Sequence, residues 1–410
     1  MDEAVDRRNG NRYLWTNLMS YLAAPVYYVD VTQAALFTKL GASHLVANMP
    51  AAFNLVGNVA PIVFACLVPH RWERRMSALP SALIAGMLVL VGIMLIVPID
   101  NHSRIVAVLV ECLLMGVLNS VCQLYLWQCL VRGTSEVGCA RALKLTFTFG
   151  PLAAVAGSLG TQFILRGGIP GLTFPRDFAL VHLYAVPCAA VAAWQCSRFE
   201  LRPLADEPRR PFLPDLWASI RDYAHSRVFV VLFGAFFIWN CALYSIANLS
   251  LYTEQALHRD PAEFSGVILA LRFGCKAIAG YGLGVLNMRY GFRAPLIATV
   301  ALIALAMVWP LFVPGYGYLG AFGLMGAGEL AGAYFPNVVM MCSPLTSATR
   351  NLSLLNMATP LSGFAPALYG YITDRFGFRS SFVLSAVLAA IALGLVFLLP
   401  KRKSEAPAGS

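Results

Sequence analysis

Twelve apolar runs, most of them about 20 residues long, follow one another between residues 12 and 399. A helix rises 1.5 Å per residue, so about 20 apolar residues span a hydrocarbon core roughly 30 Å thick. Inside lipid, backbone N–H and C=O groups must bond within their own segment or in a closed barrel. Barrel strands would read as short alternating segments, whereas these runs are continuous. The expectation is an all-α membrane protein with twelve transmembrane helices near 12–37, 44–68, 79–98, 105–130, 144–165, 177–196, 228–251, 263–286, 294–313, 316–341, 351–372 and 379–399. They are numbered helix 1 to helix 12 below.

Only 12% of residues are charged, half the share usual in soluble domains. The placement of the cations tests the helix count. With the N-terminus in the cytoplasm, the inside segments hold 21 Lys and Arg and the outside segments 7. That bias fits an even number of spans with both termini inside, as in a bacterial-type inner membrane. It also explains the net charge of +10 without nucleic acid as a partner. The ten cysteines lie mostly in apolar runs without a CxxC pair, and no HExxH occurs. They read as small packing residues, and neither a metal site nor a cofactor is expected. The first run is too long for a signal-peptide core and is read as a retained span.

The segment 197–227 is rich in Pro and charge and marks a linker. Its later part, DLWASIRDYAHS, suits an amphipathic surface helix. The expected organisation is an N-terminal six-helix half (1–196), a cytoplasmic central loop (197–227), a C-terminal six-helix half (228–400) and a cytoplasmic tail (401–410). Three matches relate the halves. A shift of 218 pairs RWERR (71–75) with RYGFR (289–293), and ECLLMGVLN (111–119) with ELAGAYFPN (329–337). A shift of 209 pairs RALKLTFTFGPL (141–152) with RNLSLLNMATPL (350–361), both R-x-L-x-L-x5-P-L. Parallel repeats of this kind are a transporter architecture with the substrate site between the halves.

With six plus six helices, a charged central loop and basic turns after helices 2 and 8, the chain resembles the major facilitator superfamily over its whole length. The family's turn pattern is G-x3-D-[RK]-x-G-[RK]-[RK]. In CLVPHRWERR (66–75), Arg71, Arg74 and Arg75 match. In GVLNMRYGFR (284–293), Gly284, Arg289, Gly291 and Arg293 match, and Met288 replaces the Asp. The resemblance makes Arg71, Arg75, Arg289 and Arg293 cytoplasmic gate candidates. The fullest copy, GYITDRFGFR (370–379), falls after helix 11 on the opposite side. Gly150 and Pro151 of helix 5 match part of a pattern found in exporters of the family. The resemblance also implies that helices 1, 4, 7 and 10 line a central cavity, flanked by helices 2, 5, 8 and 11.

Polar residues on those helices are the candidate site. Helix 4 carries Glu111 and Asn119, and helix 10 carries Glu329 and Asn337 with the same spacing; Asn240, Tyr244 and Asn248 form an i, i+4, i+8 stripe on helix 7; Asp30 lies on helix 1; Arg272 and Lys276 stand one turn apart on helix 8. Each buried cation costs about 2.5–3.5 kcal/mol on insertion scales, so Arg272 and Lys276 need acidic partners, water or an anionic ligand. Glu111, Glu329 and Asp30 would suit a cation, a sugar or a coupling proton, or would only neutralise the two cations. The asparagines equally suit hydrogen bonds between helices. The chain is therefore read as a secondary active transporter of a small solute, by alternating access and coupled to protons, working as a monomer in the lipid bilayer, and not as an enzyme. Two alternatives are a proton-antiport exporter of hydrophobic or cationic compounds and a sensor that has lost transport.

Overall fold

The computed structural model describes residues 3–202, 212–343 and 348–399. Part of the expected central loop and the expected tail, 401–410, lie outside the described residues. Among the described residues every regular element is helical.

Helical segments occupy all twelve predicted stretches. Among the described residues, nine are long and apolar enough to cross a membrane: helices 2 to 9 and helix 12. The other three are divided into shorter pieces. Helix 1 consists of Glu3–Leu22, Ala24–Tyr27 and Val31–Lys39, helix 10 of Gly320–Gly328 and Ala331–Cys342, and helix 11 of Ala348–Asn356, Ala358–Leu361 and Ala365–Phe376. Between the halves, Phe212–His225 forms the expected amphipathic helix. Its Tyr223 stacks on Phe229 at 5.0 Å while Trp217 is exposed. Short polar side chains start the long helices. Asp100 accepts from Ser103 N–H (2.8 Å) at the head of helix 4, Asn101–Gly133, and Ser135 accepts from Gly138 N–H (3.1 Å) at the head of helix 5, Glu136–Leu165. Each satisfies one of the orphan donors of a helix start.

The two halves seal against each other at the end remote from the N-terminus, called here the far end. Helix 2 packs on helix 11, helix 5 on helix 8, and the last piece of helix 1 on Ile246–Leu251 of helix 7. Polar bonds cross this seam. Asp374, at the end of helix 11, accepts from the N–H groups of His44 (3.0 Å) and Leu45 (2.9 Å), the first residues of helix 2. Gln162 of helix 5 accepts from the N–H groups of Gly266 (2.9 Å) and Val267 (3.0 Å), the first turn of helix 8. Each half therefore caps a helix of the other. Asn48 donates to Asn248 (2.6 Å), and Asn248 donates to Thr373 (2.7 Å). Lys39 pairs with Asp260 at 2.9 Å.

Candidate functional site

Below this seal lies a cavity of about 420 Å³ between the halves. It runs from Asp30 past Tyr21 and Ser20 to Asn17 on helix 1, with Asn119 and Gln123 of helix 4 along one wall. The helix breaks are what shape it. Helix 1 breaks at Tyr28–Asp30, helix 7 at Tyr244–Ser245 and helix 10 at Glu329–Leu330. Tyr28, Asp30, Tyr244 and Glu329 all line the cavity. Interrupted helices place polar groups at mid-membrane only where backbone faces protein or a cavity. Asp30 also accepts from Val31 N–H at 2.8 Å and so starts the next helical piece itself.

Four charges meet at the closed end of the cavity. Arg272 bonds Asp30 through Nη1 (2.7 Å) and Glu329 through Nε, and Lys276 Nζ donates to the other oxygen of Glu329 at 3.1 Å. Asp30, Arg272 and Glu329 are buried, and the Lys276 side chain is 23% exposed. Two cations and two carboxylates balance one another, which is the way charges persist away from water. The Asp30–Arg272 pair joins the N-terminal half to the C-terminal half. The Arg272 guanidinium also stands 5.5 Å from the Tyr28 ring centroid, within cation–π range.

The remaining sequence candidates fall elsewhere. Glu111 is buried against His182 of helix 6, with Oε2 3.4 Å from Nε2, away from the cavity. Asn337 is exposed and Asn240 is buried, donating to the Phe236 carbonyl of its own helix (3.0 Å). Asn248 belongs to the far-end seam. Arg71, Arg75 and Arg289 are exposed. Arg293 donates to the carbonyl of Phe397 at the end of helix 12, so its described bond lies within one half. The motif residue that bridges the halves is Asp374, in the GYITDRFGFR turn. Sequence reasoning gave Asn54, Asn58, Tyr21 and Thr359 no role, yet all line the cavity.

The pairing of Glu111 with Glu329 fails for a geometric reason. A Cβ added to Gly116 would sit 2.0 Å from the carbonyl oxygen of Asn54, and one added to Gly326 would sit 2.0 Å from that of Arg272. Helices 4 and 10 thus lean on helices 2 and 8 through equivalent glycines. Asn54 and Arg272 differ by 218, but Gly116 and Gly326 differ by 210. The register of helices 4 and 10 is therefore 210, close to the 209 of helices 5 and 11. An eight-residue error turns a helix by about 80° and slides it about 12 Å. In the correct register Glu329 pairs with Asn119, Asn54 with Arg272 and Asn58 with Lys276, and all six line the cavity. The C-terminal half presents charge where the N-terminal half presents neutral amides.

Residues 228–410 match the family model of the Major Facilitator Superfamily. No curated protein sequence matches the chain. Among solved structures, the D-xylose–proton symporter superposes with a TM-score of 0.69 at 12% identity, covering 97% of each chain. The nucleoside transporter NupG gives 0.68 at 9% identity over 95% of this chain and 99% of that one. The Escherichia coli fucose:proton symporter FucP gives 0.61 at 15% identity over 97% and 99%. At these identities the likeness is one of fold. With residues 228–410 matching the family model, the same fold along its length and two halves that repeat each other, the chain is an integral membrane protein with the fold of the Major Facilitator Superfamily.

Proposed function

We propose that the protein is a secondary active transporter that carries a small, neutral, hydrogen-bonding solute by alternating access, driven by protons. The observation that carries this reading is the balanced Asp30–Arg272–Glu329–Lys276 cluster, tied across the two halves at the closed end of a polar cavity. Its charges are satisfied internally, so a permanently charged solute would break pairs that already neutralise each other. The rest of the lining includes Asn17, Ser20, Asn54, Asn58, Asn119 and Gln123, which offer donors and acceptors without net charge. A sugar or nucleoside suits that lining, and the xylose, fucose and nucleoside transporters of the same fold support the class. Glu329, shared between two cations, is the proposed coupling group. Protonating it releases Arg272 and Lys276 from one carboxylate and loosens the bridge between the halves.

The test is flux into proteoliposomes under an imposed pH gradient, with sugars, nucleosides, organic acids and amphipathic cations compared. A sugar or nucleoside should accumulate with the proton gradient. Glu329→Gln should abolish accumulation while leaving solute exchange intact. Accumulation equal to that of the unaltered protein would remove Glu329 from coupling, and flux confined to organic acids or cations would overturn the neutral-solute reading.

A further inference from the structure

Glu111 and His182 form a second ionisable centre that the transport reading does not use. Both are buried, at 3% and 0% exposure, in the N-terminal half between helices 4 and 6. The His182 ring fixes its own tautomer. Nδ1 lies 2.8 Å from the carbonyl oxygen of Phe178, an acceptor only, so Nδ1 carries the hydrogen. In neutral imidazole, Nε2 then holds a bare lone pair, and Nε2 faces Glu111 Oε2 at 3.4 Å. Lone pair against carboxylate is repulsive, and among the described residues neither Glu111 oxygen nor His182 Nε2 has another hydrogen-bond partner. One proton between them turns the contact into a bond, whichever atom holds it.

The surroundings leave that proton without a substitute. Helix 3 carries no ionisable side chain from Met76 to its end at Ile96. On helix 4 the nearest groups are Cys112, buried beside Glu111, and His102 and Arg104 near its start. Arg104 is turned to Asn101 and the carbonyl of Val97. Helix 6 adds Asp177, bonded to Phe178 N–H, and Tyr184, bonded to the carbonyl of Leu22. The four cavity charges are occupied with one another. An apolar groove of about 400 Å³ between helices 3 and 4 has Glu111 among its lining residues, with Ser103 and the exposed His102 near the start of helix 4 and the exposed Leu90, Val106, Val110 and Leu114 along it.

We infer that Glu111 and His182 form a proton-binding site, separate from the central cavity, that holds one proton between Oε2 and Nε2. The inference stands or falls independently of the transport reading, because its test measures folding rather than flux. In the unfolded chain, glutamate and histidine titrate at about 4.3 and 6.5. The folded contact is a bond only while a proton sits between Glu111 and His182, so forming it draws in a proton wherever the unfolded groups hold none. Thermal stability should therefore fall as pH rises above the range in which unfolded histidine is protonated. The slope approaches a tenfold change in the folding equilibrium per pH unit for one proton.

The experiment is thermal unfolding of the detergent-purified full chain between about pH 5 and pH 9, a range that brackets the histidine titration. Glu111→Gln supplies a permanent N–H to His182 Nε2 and should flatten this part of the profile. His182→Gln supplies a permanent N–H to Glu111 and should do the same, which keeps the test open if either variant fails to fold. A third readout needs no variant. In ¹⁵N-histidine spectra of the wild type, one buried imidazole should keep Nδ1–H throughout while protonation changes only at Nε2. Folded variants with the wild-type pH slope, or a buried ring with hydrogen on Nε2 and none on Nδ1, would overturn the assignment.

Discussion

Asp374→Asn should shift the protein toward a conformation open at the far end. The carboxylate takes two backbone N–H groups, at 3.0 and 2.9 Å, from the first residues of a helix in the opposite half. Asparagine keeps one acceptor and turns an amide N–H toward the other donor. Losing a side-chain cap costs typically about 1 kcal/mol, and loss of negative charge from a helix start adds about 0.3–1 kcal/mol at low salt. Asp374 is exposed, so water and salt screen the second term, and about 1 kcal/mol is the working figure. Only the sealed conformation has this contact, so its population relative to the open one should fall roughly fivefold. Spin labels at Arg166 and Tyr316, both exposed near the far end on opposite halves, would report the opening by pulsed electron resonance, with the reactive native cysteines replaced. The long-distance component should grow in Asp374→Asn. Arg375→Gln is the control, because Arg375 is a neighbouring exposed charge stacked on Tyr371 of its own helix. An unchanged distance distribution in Asp374→Asn, or an equal change in both variants, would refute the cap as the cause.

Three further outcomes follow from the geometry. Gly116→Ala and Gly326→Ala should each lower the thermal midpoint, since a Cβ at either site meets a carbonyl oxygen at 2.0 Å and overpacking costs about 1–3 kcal/mol; a fall in only one of them would contradict the 210-residue register. Asn119→Ala should weaken solute binding about 5- to 10-fold, as expected for one hydrogen bond of about 1 kcal/mol, while proton-driven accumulation persists at saturating solute; loss of coupling instead would place Asn119 with the charge cluster. Hydrogen bonds from Arg8, then from Arg12, hold the Glu200 carboxyl below the usual glutamate range. Its contribution is therefore present above about pH 4.3 and is lost as pH falls through the lower folded value, so Glu200→Gln should lack that part of the acid limb in a stability–pH titration.

Length and hydropathy were enough to determine the class of this protein. A run of about 20 apolar residues has few stable states besides a transmembrane helix, and the Lys and Arg bias tests the number of such runs. The sequence also named the cluster, because Arg272 and Lys276 in an apolar run demand partners, and only three carboxylates were at hand. Which carboxylates answer was decided by the tertiary structure. Backbone breaks at Asp30 and Glu329 bring two of them to Arg272, while Glu111 turns to His182, a partner 71 positions away that no local pattern links to it. The ELAGAYFPN match misled because an eight-residue slip preserves composition but rotates the helix by about 80°. Only contacts between helices, Gly116 on Asn54 and Gly326 on Arg272, fix that rotation. Side-chain spacing along one helix specifies a face; which neighbour that face meets depends on packing across the bundle.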